Sequence, residues 1–290
     1  MAVLVSERVG DLTYEGHRLE YTDFGAGDEP VVLLHGQLMS RRMHHPLARR
    51  IAASGHRVVT LDLLGHGRSD RPHDPATYAI GAYAAQVLAL LDHLGAEQAV
   101  VGGTSLGANT ALEVACAAPG RVRGLLLEMP VLVQTVEVGI LVAAPLLAAA
   151  RLAPWTVTVT GAASRAVPRS AVPFWAGIAL DTLDQEPAAM AAVVQGMFLG
   201  RIAPPRAERL RTQTPALVVG HPDDPIHPAA DAATLADELP RGRFVPARSV
   251  LEWRLQPDRL DAEAVAFVRR CWRAQPARPS RAARPGTMRG

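Results

Sequence analysis

The stretch Ala99-Val100-Val101-Gly102-Gly103-Thr104-Ser105-Leu106-Gly107-Ala108 decides the fold. Ala99 to Gly102 is a short apolar run of the kind a fully buried strand needs. Gly103-Thr104-Ser105-Leu106-Gly107 follows at once, matches G-x-S-x-G and opens a helical segment. Strand, sharp turn and helix are the context a nucleophile elbow requires. The glycines let helix and strand pack closely, and the turn lifts the serine hydroxyl clear of the sheet, near the positive end of the helix. The plainer reading is a Gly-Ser turn in which Ser105 only caps the helix.

Working outward, Val31 to Leu34, Val58 to Leu61 and Val122 to Leu127 read as further buried strands. Between them, Tyr78 to Leu94 sets Ile80, Tyr83, Ala84, Val87, Leu88, Leu91 and Leu94 on one helical stripe and stops at Gly95. The expected class is therefore α/β, a mostly parallel central sheet flanked by helices. Leu12 to Tyr14 and Arg18 to Asp23, separated by Glu15-Gly16, predict an antiparallel hairpin at the sheet edge. The alternation breaks after Pro130. Residues 131–211 are rich in Ala, Val and Pro, with no acid between Glu137 and Asp181, and predict a helical cap that exposes apolar surface to a pocket. Val138 to Ala150 is no membrane span: it offers about 13 uncharged residues, interrupted by Pro145, where about 20 are needed.

The alternation resumes with Ala216 to Gly220 as a strand, Ala229 to Leu239 as a helix, Arg243 to Ala247 as the last strand and Asp261 to Trp272 as the last helix. From Ala274 onward the chain is Pro, Arg, Ala and Gly without hydrophobic periodicity. The expected organisation is one domain over 1–273, cap included, and a disordered tail over 274–290.

With 290 residues and 49% apolar content the chain can bury a large core, which excludes a disordered, collagen-like or disulfide-stapled protein. All 30 basic residues are arginine. Seven of them follow Glu263, where no acid is found, so the other 23 face 28 acids and the body is mildly acidic despite a net charge of +2. No concentrated basic face is evident, and no nucleic-acid partner is expected. The opening lacks the apolar run of a signal peptide, which makes cytoplasm the default expectation. Cys116 and Cys271 have no partner spacing for zinc or a redox pair and read as reduced, packed thiols. The Gly-rich stretch lacks a P-loop lysine and the third glycine of a dinucleotide fingerprint. No metal and no cofactor are expected.

His35-Gly36-Gln37 ends the strand before the first helix, where the backbone can turn so that an N–H faces an anion. Gln37 N–H and Leu106 N–H together would form a two-donor oxyanion hole. In Leu33-Leu34-His35-Gly36, in Asp62-Leu63-Leu64-Gly65-His66-Gly67-Arg68-Ser69-Asp70 and in the Ser105 turn, the chain resembles the α/β-hydrolase fold family over roughly residues 8 to 273. A serine at the turn, rather than the aspartate of dehalogenase-like members, implies acyl transfer.

The resemblance implies a triad aspartate in Gly220-His221-Pro222-Asp223-Asp224-Pro225-Ile226-His227-Pro228. Counting back from Pro228 selects Asp224, counting forward from Gly220 selects Asp223, and Glu128 at the end of the preceding strand is the position some relatives use. Either aspartate could instead just cap the following helix. The base is where the chain departs from the family. Members carry a histidine after the last strand, but Arg248 to Gln256 contains none, Val250 or a neighbour takes its place, and the last histidine is His227.

Three readings stay open at this point. His227 supplies the base from the acid loop, one of His44, His45 and His66 supplies it from another loop, or no base exists. His35 reads as a packing and hydrogen-bonding residue. Trp155, Phe174, Trp175 and Phe198 line an acyl pocket or form the small core of the cap. The expected function is a serine hydrolase of a small apolar ester, lactone or related acyl compound, with Ser105, Asp224 and His227 acting together. The competing class is a ligand-binding, cyclase or lyase protein on the same fold.

Overall fold

Successive residues of a buried strand point to opposite faces, and here the two sets pack into two separate cores. The computed structural model describes residues 5–132 and 136–273. Its strands are β1 (Glu7–Tyr14), β2 (His17–Phe24), β3 (Pro30–Leu34), β4 (Arg57–Leu61), β5 (Ala99–Thr104), β6 (Val122–Glu128), β7 (Ala216–Gly220) and β8 (Gly242–Pro246). Val32, Leu34, Val101, Leu125, Leu127 and Val218 belong to one core; Val31, Leu33, Val100, Leu126, Leu217 and Val219 belong to the other.

The eight strands form one sheet in the order β1-β2-β4-β3-β5-β6-β7-β8. β1 pairs with β2 and β2 with β4 antiparallel, which is the hairpin expected at the edge, and the other pairings are parallel. Helices α1 (His45–Ala52), α2 (Ile80–His93) and α3 (Leu106–Ala117) precede or separate the early crossovers. Between β6 and β7 the described residues hold no strand. Instead α4 (Val136–Leu152), α5 (Pro154–Ala166), α6 (Phe174–Leu183), α7 (Pro187–Gly196) and the short α8 (Arg206–Arg209) follow one another. Helix α9 (Ala229–Glu238), the one-turn α10 (Glu252–Leu255) and α11 (Asp258–Arg273) complete the described residues. The expected tail over 274–290 lies outside the described residues.

Parallel register sets the working edge. Leu34 pairs with Gly103, Thr104 with Glu128, Glu128 with Val219 and Gly220 with Pro246, so the carboxyl ends of β3, β5, β6, β7 and β8 lie side by side. Ligands of open α/β sheets bind outside such ends. Among the described residues no helix is long and apolar enough to cross a membrane. Cys116 and Cys271 are free, and burial pushes the Cys271 thiol up to about 11.

Close approach at the turn explains its glycines. A Cβ on Gly107 would come within 2.6 Å of Leu34 C, and one on Gly103 within 2.7 Å of Gly107 C. Only a bare backbone lets α3 start this near to β3. Gly107→Ala should therefore destabilise the protein by about 3 kcal/mol, the upper end of overpacking costs, read from the urea midpoint.

Candidate active site

Ser105 sits between β5 and α3 with φ 54° and ψ −111°, a conformation that costs a non-glycine residue about 1–3 kcal/mol. Its side chain caps nothing on α3. Its N–H donates to Glu128 O at 2.9 Å, which ties the strained residue to the end of β6. Neither Gln37 N–H nor Leu106 N–H donates to an acceptor among the described residues. Leu106 N–H is the first of α3, where the helix dipole favours negative charge.

Ser105 Oγ lies 2.8 Å from His227 Nε2. His227 Nδ1 lies 3.3 Å from Asp224 Oδ2. The other oxygen, Asp224 Oδ1, accepts from Ile226 N–H and His227 N–H, both at 2.8 Å, so one carboxylate holds the turn and faces the ring. Burial works against the charge on Asp224, but the bonds from the His227 ring and the two N–H groups outweigh it and leave the carboxyl below its ordinary value. Asp223 takes no part in this chain of contacts. Its φ of +57° places it at the left-handed bend before Asp224, which accommodates the residue that made the two counts disagree.

The other histidines are engaged elsewhere. His35 Nδ1–H donates to Gly36 O at 2.8 Å and its Nε2 accepts from Leu63 N–H at 3.1 Å. That pattern requires the neutral ring, and burial lowers its pKa. His44 Nε2 donates to Leu34 O at 2.9 Å, and burial takes the ring down to about 4. His45 lies beside Glu7, its pKa pushed by burial and neighbouring arginines to about 3, while His66 Nδ1 bonds Leu64 O. Of the bases considered, only His227 reaches the serine.

Glu128 does something different from what its position suggested. One carboxylate oxygen accepts from His221 Nε2 at 3.0 Å; the other accepts from Arg254 Nη2 at 2.7 Å and from the Thr104 hydroxyl. Burial opposes its charge, and Arg254 and His221 outweigh that and hold the carboxyl far below the usual range. His221 Nδ1 faces Ser249 O at 3.1 Å. Although burial lowers its pKa, its bonds to Glu128 prevail and raise it. Sequence reasoning missed His221 and Arg254. The available signal was that His221 directly follows β7 on the working edge, one strand from Glu128.

Above Ser105 a cavity of about 750 Å³, open on one side, lies between the sheet edge and the helices between β6 and β7. Leu146, Ala149, Val157, Leu183 and Val194 give it an apolar roof, and Phe198 joins them. Val250 and Leu251, where the family resemblance implied a histidine, form an apolar wall. Trp175 packs edge-on to Phe174 and donates from Nε1 to Arg254 O at 2.6 Å. Trp155 corrects the expectation made for it: it is 68% exposed and belongs neither to a pocket nor to a cap core. Polar contacts fasten these helices to the body, with Asp181 accepting from Arg42 and Gln185 donating to Leu38 O. Among the described residues no three His, Cys, Asp or Glu side chains gather as a metal-ligand set.

A profile of the α/β hydrolase fold matches residues 29–247. The chain belongs to the α/β-hydrolase fold family. It is 39% identical over 115 residues to a non-heme chloroperoxidase of Streptomyces lividans, a segment covering 38% of this chain and 40% of that protein. The chain spans about two fifths of the length of the first curated relatives it matches. Among solved structures, an enol-lactonase from Burkholderia xenovorans superposes with TM-score 0.73 at 21% identity, covering 90% of this chain and 100% of that one. A thermophilic esterase from Thermogutta terrifontis gives 0.70 at 23%, covering 93% and 99%. At such identities these neighbours speak to the fold.

Glu128 generates a stability prediction. A carboxyl lowered in the folded state contributes stability that is fully present above its unfolded pKa of about 4.3 and is lost as pH falls toward the folded value. Glu128→Gln leaves two cations short of a partner and should cost about 3–5 kcal/mol at pH 7. The deficit should shrink below about pH 4, as wild type loses the same charge. Urea unfolding of both proteins across that range reads the effect.

Proposed function

We propose that the protein is a serine hydrolase of small, largely apolar esters, lactones or related acyl compounds, working through an acyl-enzyme on Ser105. The observation that carries this reading is the 2.8 Å separation of Ser105 Oγ and His227 Nε2. In the proposed reaction Oγ attacks the substrate carbonyl while its proton passes to His227 Nε2. Gln37 N–H and Leu106 N–H receive the negative charge that develops on the carbonyl oxygen. Asp224 orients the ring through Nδ1–H and stabilises the imidazolium. Collapse of the tetrahedral species breaks the bond to the leaving oxygen, which takes the proton from His227. Water, deprotonated by the same nitrogen, then attacks the acyl group, releasing the acid and restoring Ser105.

The apolar roof supports the substrate class, because it offers the acyl body few polar partners. An enol-lactonase and an esterase among the structural neighbours are compatible with lactone or ester chemistry.

A fluorophosphonate probe tests the assignment. Wild type should be labelled on Ser105, Ser105→Ala should not, and His227→Ala should label at least about 10³-fold more slowly. Asp224→Asn should lower kcat on a p-nitrophenyl ester by about 10³–10⁴-fold with KM little changed. Absence of Ser105-dependent labelling in a folded protein would favour the ligand-binding or non-hydrolytic class. Labelling that survives His227→Ala would remove the base from the acid loop.

A further inference from the structure

Most polar side chains around the cavity are already occupied. The hydroxyls of Thr156, Thr160 and Thr182 bond carbonyls of their own helices, at Ala153, Thr156 and Ile178. Asn109 donates to Val131 O and Ile202 O, and Gln185 to Leu38 O and Thr182 O. No Asp or Glu lines the cavity among the described residues, whereas Arg254 does. Apart from His227 it is the single ionisable side chain in that wall among the described residues.

Arg254 is held but not saturated. Nη2 donates to Glu128, and the guanidinium lies 5.3 Å from the centre of the Trp175 ring. Among the described residues no acceptor is bonded to Nε or Nη1, and 18% of the side chain is accessible. Its one ionic partner is shared. Both ring nitrogens of His221 face acceptor-only atoms, Glu128 Oε1 and Ser249 O, so both carry protons and the ring is a cation. One carboxylate thus stands between two cations. The group keeps one positive charge beside a cavity whose lining is mostly apolar and holds no carboxylate among the described residues, where an anion would be bound more strongly than in water.

We infer that Arg254 is an anion subsite of the catalytic cavity and that the substrate is an apolar acyl compound bearing a carboxylate. Arginine suits this role because its planar fork can hold Glu128 with one edge and offer the remaining donors to a second carboxylate. The inference rests on the serine-hydrolase reading for the reacting end of the substrate and adds the charge at the other end.

The test compares mono-p-nitrophenyl adipate with p-nitrophenyl hexanoate, which have the same acyl length and differ in the terminal carboxylate. Wild type should favour the adipate ester in kcat/KM by about tenfold or more, as expected for bonds to a charged group. Arg254→Gln should abolish the preference, mainly through KM, and Arg254→Lys should retain part of it. Equal rates in wild type, or a preference that survives Arg254→Gln, would overturn the subsite. Binding to Ser105→Ala separates this from the hydrolase reading and remains decisive if Arg254→Gln does not fold. By calorimetry, monomethyl adipate should bind at least tenfold more tightly than methyl hexanoate, with the advantage falling as salt rises. If neither nitrophenyl ester turns over but this discrimination persists, the hydrolase reading fails and the anion subsite stands. If the discrimination is absent, the subsite fails whatever the rates.

Discussion

A buried carboxylate cannot be left uncompensated, and in this protein Glu128 imposes that constraint at the centre of the working edge. Its charge recruits the Thr104 hydroxyl from the end of β5, His221 from the loop after β7 and Arg254 from α10, while its carbonyl takes the N–H of Ser105. Three segments far apart in sequence are thereby held around one residue. The strained conformation of Ser105 is maintained from below, because the Thr104 side chain and the Ser105 N–H are both anchored to Glu128. The loop that carries Asp224 and His227 begins at His221 and inherits the same anchor.

Within that loop, local geometry does the remaining work. Asp224 closes its own turn by accepting from two N–H groups with one oxygen, which leaves the second oxygen facing the ring of His227. Acid and imidazole three residues apart would ordinarily be a flexible pair. Here the backbone bonds fix their relative position before the serine is considered, and the side chain of His227 needs only to span the gap to Ser105. Proline on both sides, at 225 and 228, further limits the backbone conformations available to the segment.

Much of the fold could be read from sequence because buried strands and amphipathic helices leave different periodicities. Ala99 to Gly102, Val122 to Leu127 and Ala216 to Gly220 were legible as apolar runs, and the Ser105 turn by the glycines that close packing demands. The region between β6 and β7 was legible as helical, yet not which of its aromatics face inward. Its Ala-rich helices have little contrast between faces, so Trp155 and Phe198 looked alike until the packing separated them. Asp223 and Asp224 were inseparable by counting, because the difference is a backbone bend and not a residue type. The Glu128 cluster was hidden for another reason: it is a product of sheet order, and its members are adjacent only after β6 and β7 pair and α10 returns beneath the helical region.

The placement of His227 also changes what the segment after β8 is able to do. Where the family resemblance implied a histidine, Val250 and Leu251 close the cavity with apolar surface and Ser249 offers its carbonyl to His221. Four residues beyond Val250, Arg254 reaches both Glu128 and the cavity wall. On the proposed mechanism this segment has no proton to move, so a permanent cation there does not compete with a titrating base. A guanidinium beside a catalytic imidazole would disfavour the imidazolium that must form during acyl transfer. With the imidazole on the β7 loop next to Asp224 and the guanidinium on α10 next to Glu128, the two groups answer to different carboxylates, the second of them shared with His221. The cavity can then carry positive charge for recognition while the site of proton transfer keeps its own counterion.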